Sequence, residues 1–239
     1  MEEIRQMPSP EIQYEFPSNA HLLGAERYHT AYDQLAAMLQ ERKPLSIKEA
    51  VFLVEQAYSG ETLQKSWYDK EIDRSVAIIE DAIKSAGYEP DNELGKKMLL
   101  HAFMSGTLEV RDSEGNIVGN TSPKKYDFED IYGQEDWTKM FVTKLMQTNT
   151  GQCHSMPLLY LILAEELRVE AYLAFSPEHS YVKIKDNKES WVNLELTNGH
   201  YATDQWLLSS GYVNAEAIQS GIYLKPKSKK ESIAHCQIN

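Results

Sequence analysis

Three residues of this chain have the types, order and close spacing that acyl transfer needs: a thiol, Cys153, then an imidazole, His179, then a carboxylate, Glu195. A cysteine thiolate is a strong nucleophile near neutral pH. An imidazole can take a proton from it and return one to a leaving group, and a carboxylate can hold that imidazole in the required tautomer and orientation. Taken alone, Cys153 reads equally as a small buried hydrophobe. The elements around it therefore decide what it can do.

The segment Thr150-Gly-Gln-Cys-His-Ser-Met-Pro157 leads into Leu158-Leu-Tyr-Leu-Ile-Leu-Ala-Glu-Glu-Leu167, an apolar run too long for a strand and helical in composition. A proline is tolerated where the backbone N–H has no intrahelical partner, so Pro157 places the helix start within a residue or two of Cys153. A thiol there meets the positive end of the helix dipole, which favours the thiolate. Gly151 would let a substrate backbone come close, and the Cys153 amide is a candidate oxyanion donor. Beyond the helix, Glu170 to Phe175 reads as a strand, His179 opens a second strand to Lys185, and Trp191 to Leu196 forms a third after the turn Asp186-Asn-Lys-Glu189. A turn centred near residue 187 or 188 brings position 179 opposite residues close to 195, so the imidazole and carboxylate can share a face.

These motifs resemble those of the transglutaminase-like superfamily, whose active-site logic is papain-like. Gly151-Gln-Cys153 is similar to the family's Gly-Gln-Cys-Trp nucleophile motif, His179-Ser-Tyr-Val to its His-Ala-Trp-Val strand start, and Trp191-Val-Asn-Leu-Glu195 to its Trp-Val-x-x-Asp strand. The resemblance covers residues 134 to 206. It implies an α+β core with a nucleophile helix packed on an antiparallel sheet, and the triad Cys153, His179 and Glu195. Two departures stand out: His154 replaces an aromatic, and Glu195 is one methylene longer than the usual Asp. Asn193 is a second orienting candidate, and Gln147, six positions before the cysteine, is an oxyanion candidate whose alternative is a surface residue at a helix end. Gly151, Gln152, His154, Tyr181, Trp191 and His200 are expected around the cleft.

The elements upstream read as helices. Ser46-Ile-Lys-Glu49 is a capping box opening the stripe Ala50, Val51, Leu53, Val54 and Ala57, and Thr62 to Ala86 carries Leu63, Trp67, Ile72, Val76, Ile79 and Ile83 up to Gly87. Asn92 to Ser105 predicts another helix, residues 107 to 119 a small hairpin, and Gln134 to Met146 one helix with Trp137, Met140, Phe141 and Leu145 on a face. Packing is the default explanation for the apolar residues and for Trp67 and His101. The organisation expected is an extended arm over 1–28, a helical region over 29–106, the core over 107–226, and a solvated basic linker opening a helix over 227–239.

Composition narrows the function classes. A net charge of -12, with 24 basic against 36 acidic residues, opposes a phosphate-backbone partner. Two cysteines in unlike contexts exclude a disulfide framework. No Cys-x2-Cys or His-Glu-x2-His spacing supports a zinc site built from Cys153, His154, His179 and His200, and no calcium-loop pattern is present, so no cofactor is expected. No apolar run of membrane-spanning length is present, and the chain reads as unexported as written. A helix that stops after about two turns at the C-terminus leaves room for further sequence, a downstream helical repeat or a removed leader included. The leading expectation is hydrolysis of peptide or glutamine-type amides through a Cys153 thioester, ahead of cross-linking. The alternative is a catalytically silent module that binds protein or peptide.

Overall fold

The structure is a computed structural model and describes residues 24–131, 133–211, 218–219 and 221–236. It is α+β. Four helices come first: α1 (Ala25–Leu39), α2 (Ile47–Ser59), α3 (Lys65–Ser85) and α4 (Glu93–Ser105). A hairpin of β1 (Glu109–Arg111) and β2 (Ile117–Asn120) follows, then β3 (Lys125–Tyr126), α5 (Val142–Thr148), β4 (Thr150–Gly151) and α6 (Ser155–Leu167). The sheet strands β5 (Tyr172–Ser176), β6 (His179–Lys185), β7 (Trp191–Glu195) and β8 (His200–Ala202) precede α7 (Asp204–Gly211) and α8 (Lys229–Cys236). The expected arm lies largely outside the described residues, and its last positions, from Ala25, already belong to α1.

The Ser46 half of the capping box forms, with its hydroxyl accepting from the Glu49 amide at 3.2 Å, while the Glu49 carboxylate pairs with Lys65. The carboxylate of Glu165, near the end of α6, also accepts from the Ile47 amide at 3.0 Å, so α2 begins against α6. Asn92 caps α4 through the Gly95 amide at 2.7 Å. One apolar core runs from α1 to α4 through α6 into the sheet, including Ile72, Ile79, Leu100, Met156, Leu163, Val182 and Leu194. The unbroken apolar run of α6 follows from its place at the centre, buried on every side from Met156 to Ala164.

The four strands β5–β6–β7–β8 form an antiparallel meander. Alternation gives Val182, Ile184 and Leu194 to the core shared with α6, while Tyr181 lies on the other face beneath Leu207 of α7. The outer edge of β5 is covered by the returning chain, since the Leu224 amide donates to Phe175 O at 2.9 Å and the Lys227 amide to Leu173 O at 2.8 Å. The basic lysines of this stretch, Lys225, Lys229 and Lys230, stay exposed as expected, while the backbone is strapped to the sheet; Lys229 pairs with Glu165 at 2.7 Å, and α8 buries Ile233 and Cys236 against α1 and α2. The paired edge strand leaves no open ladder there.

The helix expected over Gln134 to Met146 is broken. A short 3-10 turn, Trp137–Met140, gives way at Phe141, whose backbone is extended (φ -87°, ψ 140°), and α5 then starts afresh. The cause is a carboxylate from α2: Glu55 accepts from the Val142 amide at 2.6 Å and the Thr143 amide at 3.0 Å, so these donors begin a new helix.

Candidate active site

Cys153 stands just ahead of α6, separated from its first residue, Ser155, by the N-cap His154. The helical pattern already begins here, with the Met156 amide donating to Gln152 O at 3.0 Å. The approach to the thiol is held from two sides. β4 pairs in parallel with β3, Gly151 opposite Tyr126, and the buried Gln152 side-chain amide donates to Asp127 O at 3.1 Å and Asp130 O at 2.7 Å. On the other side the Ser180 hydroxyl donates to the Cys153 carbonyl, which ties the first turn of α6 to the start of β6.

His179 is the first residue of β6. It follows a two-residue connection in which Glu178 takes a left-handed backbone (φ 54°). The ladder register sets Lys183 against Asn193 and Val182 against Leu194. Continued toward the strand start, that register makes Glu195 a diagonal neighbour of His179 on one face. The imidazole Nε2 and Glu195 Oε2 are 2.6 Å apart. Glu195 is held in turn by Thr197, whose hydroxyl donates to Oε1 at 2.7 Å and whose amide donates at 3.2 Å. With Nε2 engaged, Nδ1 is the ring nitrogen left for the thiol.

The electrostatics favour a charged imidazole. Burial works to lower the His179 pKa, but hydrogen bonding and charge from Cys153 and Glu195 outweigh it and raise the group to about 9. Burial likewise works to raise Glu195, yet its bonds to His179 and Thr197 leave it below the ordinary carboxylate range. An imidazolium therefore faces the half-buried sulfur across the neutral range. A positive charge beside a cysteine stabilises its thiolate, which is what an attacking sulfur requires.

The other expected residues divide. His154 lines the cavity with Cys153, and burial, with the nearby His235, depresses its pKa to about 4, so it is neutral at pH 7. Gln147 is exposed at the end of α5 and does not line that cavity. Asn193 does not orient His179: its side-chain amide donates to Asp204 Oδ1 at 2.8 Å and Ala202 O at 3.1 Å. Gln152 is fully buried and braces the chain at 127–130 instead of facing a cleft. Gly151 serves packing, because a Cβ there would meet the Ser155 hydroxyl at 2.5 Å. Tyr181 is sealed beneath α7, and Trp191 sits at the far end of β7 in an edge contact with Tyr172. His200 is exposed on β8, away from the cavity. Among the described residues no group of three or more His, Cys, Asp or Glu could hold a metal ion.

Several contributors escape the motif reading. Ser180 holds the Cys153 carbonyl, Thr197 holds Glu195, and Glu55 shapes the wall of the cavity beside them. The last left a trace, since Glu55 interrupts the otherwise apolar stripe of α2 and is only 4% exposed. Burial raises its pKa to about 7 against the pull of the α5 amides. A cavity of about 400 Å³ opens beside Cys153, bounded by α2, the Trp137–Phe141 segment, Leu158 and Cys236. Among the described residues no helix is long and apolar enough to cross a membrane. No family model matches the chain, and neither a curated protein nor a solved structure is significantly similar to it.

Proposed function

We propose that this chain is a cysteine acyl-transfer enzyme of the transglutaminase-like type, acting on peptide or glutamine-type amides with hydrolysis ahead of cross-linking. One observation carries the reading: His179 is held by Glu195 at 2.6 Å, and hydrogen bonding and charge from Cys153, just ahead of α6, join Glu195 in raising its pKa to about 9. The order along the chain, helix-borne thiol then strand-opening imidazole then carboxylate on the next strand, supports the same assignment.

In this mechanism the Cys153 thiolate attacks the amide carbonyl and a carbon–sulfur bond forms. The C–N bond then breaks as the His179 imidazolium gives its proton to the departing amine. Water, deprotonated by the now neutral His179, adds to the thioester, and the sulfur leaves to restore the thiolate–imidazolium pair with release of the acid. The Cys153 amide, at the positive end of α6, is the donor assigned to the oxyanion. Glu195 stays ionised throughout and keeps the ring aimed.

A burst experiment with p-nitrophenyl acetate tests the assignment. Wild-type protein is expected to release one equivalent of nitrophenolate quickly, with the acetyl mass on the peptide holding Cys153, and Cys153→Ala to show no burst. Absence of a burst in the folded wild type would leave a silent peptide-binding module as the better reading.

A further inference from the structure

The cavity beside Cys153 differs from what a polar side chain would need. Its buried members include Val51, Leu158 and Cys236, and four of the chain's exposed large apolar residues, Tyr28, Tyr58, Ile131 and Trp137, stand on its lining. Exposed apolar residues converging on a concave site mark a surface that an apolar group covers. Among the described residues no lysine or arginine lines it. Its ionisable groups are acids or neutral ones: Glu55 and Glu178, a neutral His154, and the Cys236 thiol, pushed up to about 12 by burial and the nearby Glu55. Apart from the His179 imidazolium that Glu195 holds beside the sulfur, a carboxylate entering here would meet no cation among the described lining residues and two carboxyl groups. A primary amide would leave most of the apolar wall uncovered, since about 400 Å³ exceeds what a glutamine side chain occupies.

We propose that this cavity is the acyl pocket, and that it selects a bulky, uncharged, apolar acyl group, aromatic or branched aliphatic, for transfer to Cys153. The assignment rests on the nucleophile reading above and narrows its substrates: the residue on the acyl side of the scissile amide carries the apolar group. Cys153 is on the pocket's lining, so the carbonyl meets the sulfur while the side chain enters among the lining residues of α2 and the Trp137–Phe141 segment. Those walls come from elements outside the Cys153–Glu195 stretch, which lets specificity vary apart from the chemistry.

The test compares acylation of full-length wild-type protein by the p-nitrophenyl esters of acetate, 3-phenylpropionate and succinate. In each case the thiolate displaces nitrophenolate and an S-acyl bond forms, and each rate is divided by that of N-acetylcysteine with the same ester. The phenylpropionyl ester is expected to acylate Cys153 at least about tenfold faster than the acetyl ester, and the negatively charged succinyl ester more slowly than either. Val54→Trp and Met140→Trp, which fill the pocket from two different elements of its lining, are each expected to bring the phenylpropionyl-to-acetyl ratio near one, with folding checked by thermal melting. The wild-type series decides even if neither variant folds. Equal normalised rates for the three esters, with rapid Cys153 alkylation by iodoacetamide, overturn the pocket assignment alone. Slow reaction of Cys153 with all four reagents overturns the nucleophile reading and the pocket with it.

Discussion

Cys153 and Cys236 border the same cavity, yet their surroundings prepare them for opposite behaviour. Cys153 precedes α6, is half-buried, and faces an imidazole that Glu195 holds and keeps protonated. Cys236 closes α8, is 3% exposed, and hydrogen-bonds back to its own helix at Ser232 O. Burial and the neighbouring Glu55 push its thiol to about 12. The same side chain is therefore set for attack in the proposed mechanism at the beginning of one helix and serves packing at the end of another. Charge, dipole and exposure decide the difference.

The sharpest way to break this comparison is to delete each thiol. Cys153→Ala is expected to abolish the acylation burst completely, whereas Cys236→Ala should leave its amplitude at one equivalent and cost stability in thermal melting. Removing the partner comes next: His179→Ala should slow alkylation of Cys153 at pH 7 by about 10²-fold or more, measured by peptide mass mapping, with Cys236 unchanged.

Glu55 lets the buried side be tested through pH. Its folded pKa of about 7 lies above the ordinary 4.5, so its contribution favours folding fully below 4.5 and is lost as pH rises through 7. A shift of that size corresponds to about 3 kcal/mol. Thermal stability of wild type should thus fall between pH 5 and pH 8, and Glu55→Gln should flatten that slope while lowering stability near pH 5, where one amide acceptor is lost. His179 has the same sign in a higher window: its stabilising pair is fully present below 6.5 and lost as pH passes about 9. The smaller effects lie in the triad's support. Glu195→Gln is expected to slow Cys153 alkylation about tenfold at pH 7, and Thr197→Val about threefold, because the carboxylate keeps its bond to His179 but loses one donor.

The placement of His179 against Glu195, with Cys153 ahead of α6, was legible in the sequence because its geometry is local. The turn at Asp186 to Glu189 fixes the β6–β7 register within a few residues, and Pro157 fixes where α6 begins. Alternation also placed Tyr181 on the His179 face, but could not reveal that Leu207 of α7 covers that face. Trp191 shares parity with Glu195, yet lies too far along β7 to reach the site. The break at Phe141 was hidden for a different reason: periodicity within 134–146 holds no record of a carboxylate from α2 that captures the α5 amides. The pocket walls depend on the same long-range packing of α2, α6 and α8. Local spacing carries chemistry; distant packing carries shape.

Competitive alkylation with limiting iodoacetamide at pH 7, quantified by mass for both cysteine peptides in one sample, tests the central claim most directly. Cys153 should label at least about 10²-fold faster than Cys236 in the folded protein, and the gap should close in denaturant. Equal, slow labelling of the two thiols in the folded protein would contradict the assignment of Cys153 as a nucleophile prepared by His179.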